Sequence, residues 1–128
     1  MRFELNGGYG MQFQRRVREW VVACFPTASV SNRQERTHRF LEEALELAQA
    51  SGCSRSEAAE LVDYVFSRDI GDVRQEVGGV MVTLAALCDA LDIDLESAAE
   101  GELQRNWRRI DLIRAKHARR PTNSARPQ

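Results

Sequence analysis

Over residues 11–25, MQFQRRVREWVVACF, apolar side chains recur at Phe13, Val17, Trp20, Val21 and Cys24. That three- and four-residue spacing draws one stripe along an α-helix and predicts an amphipathic first helix. Pro26 lacks the N–H needed to continue it, and residues 27–32 read as a polar connection. A second helical pattern fills residues 33–51 and meets Gly52, the residue best suited to the left-handed backbone that closes a helix. Ser54-Arg55-Ser56-Glu57 spells a capping box and opens a third helix to about residue 67. A turn containing Gly71 follows, then a fourth helix over residues 73–91 and a fifth from Leu95 or Ser97 to about Ala118. No stretch sustains the two-residue alternation of a half-buried strand. The chain is therefore expected to be all-α: an antiparallel helical bundle of about five helices over residues 11–118. It is flanked by a flexible lead at residues 1–10 and a disordered basic tail at residues 119–128.

The fourth helix departs from the amphipathic pattern. From Val77 to Cys88 it is apolar nearly all round, which predicts burial on every side. Gly78 and Gly79 sit inside it, each costing up to about 1 kcal/mol against alanine, and so imply close approach of another backbone or a ligand. Bundles with such a helix complete their core across copies, so a homo-oligomer, dimer or tetramer, is expected. The apolar run is shorter than the ~20 residues needed to cross a bilayer, and no membrane association is expected.

At 128 residues, 43% hydrophobic and 29% charged, the chain has the size and balance of one soluble globular domain. Its three cysteines, Cys24, Cys53 and Cys88, are odd in number and show no C-x-x-C spacing. Neither a disulfide framework nor a thiolate zinc site is indicated, and a reducing, cytoplasmic setting is expected. The net charge of −1 hides a partition: residues 1–34 carry +3, residues 35–102 carry −11 and residues 103–128 carry +7. All but one of the eighteen cations are arginine, whose planar fork suits two-point contact with phosphate or carboxylate.

The acidic middle concentrates on the second helix. In RFLEEALELA, residues 39–48, Leu41, Ala44, Leu45 and Ala48 share one face, and Glu42, Glu43 and Glu46 crowd the other. Like charges at this spacing cost roughly 0.2–0.5 kcal/mol per pair, so something offsets them. Either Arg39 pairs with them on a solvated face, or a hard divalent cation sits on the carboxylates. Glu76 opens the apolar fourth helix, on the stripe of Val80, Thr83 and Leu87, and Asp72 precedes it by one turn. A first-turn acid can also simply complement the helix dipole.

The spelling Glu43-x-x-Glu46, then Glu76 on a later apolar helix, Leu91-Asp92-Ile93-Asp94-Leu95 and a final Asn106-x-x-Arg109, resembles the MazG-like all-α NTP pyrophosphohydrolases, which include dUTPase- and dCTPase-type members. The likeness covers roughly residues 33–118. It is closest to the short bacterial and phage members around residues 39–43 and 75–84. The resemblance implies a magnesium-dependent enzyme, with manganese as a possible substitute. Such an enzyme splits an NTP or dNTP into the monophosphate and pyrophosphate. It implies Glu43, Glu46 and Glu76 as metal ligands, Glu43 or Glu46 as the group that activates water, and Arg105, Asn106 and Arg109 as nucleotide contacts. Two positions depart from the family pattern: its fourth acidic ligand is Gly79 here, and a lysine four residues before the asparagine is Glu102. Asp72 and Glu42 are the alternatives for the missing ligand. Phe13 and Trp20 could wall a base but read more simply as core.

Other chemistries find no support. There is no G-x-x-x-x-G-K-[ST] loop and no G-x-S-x-G, and His38 and His117 lack ligand-spaced partners and read as surface residues. Two further readings stand beside the hydrolase. One is a non-catalytic oligomeric scaffold, which fits Gly79. The other is a nucleic-acid-binding helical protein, against which Val77 to Cys88 offers almost no polar side chain for a groove.

Overall fold

A computed structural model describes residues 8–27 and 31–119 of the chain, with side chains from residue 12 onward. Six helices follow in order: α1 Gly8–Cys24, α2 Arg33–Ala50, α3 Arg55–Phe66, α4 Val73–Ala90, α5 Leu95–Arg108 and α6 Ile110–Ala118. Among the described residues there is no strand, so the all-α class holds. Helix is already present at residues 8–10, within the expected lead; residues 1–7 and the tail at 120–128 lie outside the described residues. Contacts divide the chain into two units, one made of residues up to Phe40 and from Glu102 onward, the other of Leu41–Gly101.

In the first unit α1 packs against α6. Arg114 on α6 reaches the exposed carbonyls at the end of α1: its Nε donates to Ala23 O at 2.9 Å, and an Nη2 donation to the same oxygen accompanies it. A cation on terminal carbonyls is the favourable charge at a helix C-terminus. Cys24 and Leu103 are buried here. Burial pushes the Cys24 thiol pKa up, and the Arg114 charge pulls it part of the way back. Trp20 meets Phe25 edge-on at 5.7 Å, so it belongs to this packing.

The expected fifth helix is two. Arg109, at φ −105° and ψ 15°, leaves helical geometry between α5 and α6, while its N–H still donates to Arg105 O at 3.1 Å. The break contains neither proline nor glycine, and the helix beyond it is the one that docks on α1.

The second unit is organised by its turns. After α2, Gly52 takes φ +94°, its N–H donates to Gln49 O at 3.0 Å, and the Cys53 N–H donates to Ala48 O at 2.9 Å. After α4 the same pair of bonds recurs: Asp92, at φ 56°, donates to Asp89 O at 3.2 Å, and Ile93 donates to Cys88 O at 2.9 Å. Both are Schellman closures. Each is followed two residues on by an N-cap. Ser54 Oγ accepts from the Glu57 N–H at 3.1 Å and donates to Glu57 Oε1 at 3.0 Å; Asp94 Oδ2 accepts from the Ser97 N–H at 2.8 Å.

Helix α4 corrects two expectations. It is not buried on every side: Cys88 is buried and Leu84 and Leu87 are half-buried, but Val73 is 78% and Val82 71% exposed. Nor does a backbone approach its glycines, since a β-carbon on Gly78 or Gly79 would meet nothing within 4 Å. The sequence pattern records a need for cover that the described residues do not supply. Helix α3 is exposed in the same way, with Phe66 at 85%.

Candidate functional site

Helix α2 begins at Asn32, whose Oδ1 accepts the Glu35 N–H at 3.0 Å, and runs unbroken through the acidic segment. Glu43 and Glu46 are exposed and one turn apart on the same helix; Glu42 and Arg39 are half-buried. Arg39, Glu42 and Glu43 have interaction partners, so the arginine and part of the acidic face are engaged. Glu46 has no ion-pair or hydrogen-bond partner among the described residues.

Glu76 sits in the first turn of α4, where the helix dipole favours a carboxylate. Its side chain folds back over Gly71, so closely that a β-carbon at that position would collide with Oε1. Asp72 is the N-cap of the same helix, its Oδ2 accepting the Gln75 N–H at 3.0 Å. That bond occupies one of its oxygens in holding α4 and gives the residue a structural reason to be there. Gly79 offers no oxygen side chain; its carbonyl accepts the Thr83 hydroxyl at 2.9 Å.

Among the described residues no three His, Cys, Asp or Glu side chains converge on one point, so Glu76 does not join Glu43 and Glu46 in one group. The two α2 carboxylates nonetheless fit magnesium by type and number. That ion takes one or two protein carboxylates and leaves its remaining positions to water and substrate phosphates.

The expected nucleotide contacts lie in the first unit. Arg105 pairs with Glu102, Nη1 to Oε2 at 3.8 Å, both about half exposed; Asn106 is half-buried; Arg109 forms the break before α6. Glu102 thus engages the neighbouring cation.

Two features were missed. His117 is no surface residue: its Nε2 lies 2.8 Å from Oε1 of Glu35, and its ring lies 4.8 Å from that of Phe25. Glu35, 7% exposed, is the one buried charged residue among those described. The second feature is a groove lined by arginines of α1 and α2. The +3 charge of residues 1–34 and the arginine-rich composition were its signals in the sequence.

No family model matches the chain, and no curated protein and no solved structure matches it.

Proposed function

We propose that this chain is a magnesium-dependent nucleoside triphosphate pyrophosphohydrolase of the MazG-like kind, cleaving the α–β phosphoanhydride of an NTP or dNTP. The observation that carries this reading is the pair Glu43 and Glu46, exposed and one turn apart on α2. Water adds to the α-phosphorus, the bond to the bridging oxygen breaks, and monophosphate and pyrophosphate leave. Glu46, or Glu43 beside it, orients that water and accepts its proton. Glu43 and Glu46 would hold a magnesium ion, which would supply charge neutralisation for the departing pyrophosphate.

The active form is a homo-oligomer. Support comes from the apolar surface left open on α3 and α4, where Phe66, Val73, Val77 and Met81 are all at least half exposed. Burying one such side chain is worth roughly 1.5–3 kcal/mol, so leaving the whole set in water is costly. The enzyme works in the cytoplasm, a reading supported by three free cysteines. No helix among the described residues is long and apolar enough to cross a membrane.

A panel of NTPs and dNTPs, with and without magnesium, tests the function by pyrophosphate against orthophosphate release. Magnesium-dependent pyrophosphate from at least one nucleotide is expected, and none from any overturns the proposal. A non-catalytic oligomeric scaffold is the second reading, favoured by Gly79 together with the same open apolar surface.

A further inference from the structure

Between α1 and the start of α2, within the first unit, lies an open groove of about 640 Å³. Arg15 and Arg18 of α1 and Arg36 of α2 line it, Val17 and Val21 add apolar surface, and Gln14 adds a neutral amide. Among the described residues no carboxylate lines it. Arg15 and Arg18 are exposed and have no ion-pair partner among the described residues. Arg15 and Arg18 carry no counter-charge, and Arg36 shares Glu35 with His117, so an anion in the groove relieves the repulsion among the three.

Arg36 is held for the purpose. Its guanidinium carbon lies 4.8 Å from the centre of the Phe25 ring, and its Nη2 lies 3.5 Å from Glu35 Oε1. Glu35 also meets His117, so its charge is shared rather than spent on Arg36 alone. The Arg36 Nε is buried with no hydrogen-bond partner among the described residues, while the side chain as a whole stays about a third exposed to the groove. A guanidinium fixed on an aromatic face loses little freedom when it binds phosphate.

We propose that this groove binds the phosphate chain of a nucleotide-sized organic polyphosphate through Arg15, Arg18 and Arg36, without a metal ion. The volume lies in the ordinary range for a small-molecule site. Three guanidiniums match a chain of phosphates better than a single one, and Val17 and Val21 suit the uncharged part of an organic ligand. A nucleic-acid strand calls for a longer charged track. The site shares no residue with the carboxylates of α2 and α4 and requires no hydrolysis, so it stands or falls apart from the proposed activity.

Calorimetric titration of the full chain with sodium tripolyphosphate, and separately with an α,β-methylene nucleoside triphosphate, tests it in EDTA at low salt. Both ligands are expected to bind. The Arg15→Gln, Arg18→Gln double variant should weaken both by at least about tenfold, through the loss of charge-assisted hydrogen bonds, with its helical circular dichroism unchanged. The Glu43→Gln, Glu46→Gln variant should retain the binding. Absence of heat with both ligands overturns the proposal, as does unchanged affinity in the arginine variant, or binding that fails in the glutamate variant instead. An oligothymidylate that binds through these arginines while both small ligands fail overturns it in favour of nucleic acid.

Discussion

His117 Nε2 and Glu35 Oε1 meet at 2.8 Å across 82 positions of sequence, tying α6 to the first turn of α2. The Phe25 ring lies against the same imidazole, and Arg36 approaches the same carboxylate oxygen at 3.5 Å. Removing one partner of a buried, hydrogen-bonded charge leaves the other poorly satisfied. His117→Ala is therefore expected to cost about 1–3 kcal/mol in urea denaturation. A variant as stable as the parent would show that the pair holds nothing.

The twin Schellman closures predict opposite effects from changing the residue at the left-handed position. Gly52→Ala puts a β-carbon at φ +94° and should destabilise by about 1 kcal/mol. Asp92→Gly relieves a side chain at φ 56° and should stabilise by up to about 1 kcal/mol. Thermal melts of the two variants check the signs, and shifts in the same direction would contradict the shared geometry.

Asp94 makes a pH prediction. Hydrogen bonds from Ser97, its side chain first and its backbone N–H second, hold the Asp94 carboxyl below its ordinary value of 3.8. A carboxyl lowered in the folded state adds stability that is fully present above the unfolded value and is lost as pH falls through the folded one. The destabilisation by Asp94→Ala should accordingly be constant near neutrality and shrink below pH 3.8. Denaturation of parent and variant across that range decides it; a penalty that grows on acidification has the wrong sign.

Val77 and Met81, one turn apart on α4, are 60% and 53% exposed. If copies associate through this surface, a Val77→Asp, Met81→Asp double variant should sediment as a smaller species than the parent while keeping its helical content. Buried at an interface, each new carboxylate would be strongly penalised. Identical sedimentation of parent and variant would remove α4 from any interface.

What could be read from the sequence was local. Gly52, Ser54 and the turn at Gly71 announce their roles through their own backbone chemistry, and the apolar stripe of α1 announces its helix. The break at Arg109 carries no such mark, because it depends on where α6 docks. Glu35 with His117 was hidden for the same reason: neither residue has a local partner that signals the other. The apolar run of α4 was legible as a demand for burial, but burial belongs to whatever covers the helix. On the carboxylates, Glu43-x-x-Glu46 places two acids on one exposed face by helical geometry alone. Glu76 comes from another helix, and sequence spacing does not dictate whether it meets them.

Whether the α2 carboxylates support pyrophosphate release is decided by the magnesium-dependent rate in the parent against Glu46→Gln. Glutamine keeps the size of the side chain and removes its charge, and Glu46 is exposed, so folding should be little affected. Magnesium-dependent pyrophosphate release is expected from the parent, with a loss of about 10²-fold or more in the variant, as for removal of a general base. Equal rates in the two proteins would contradict it.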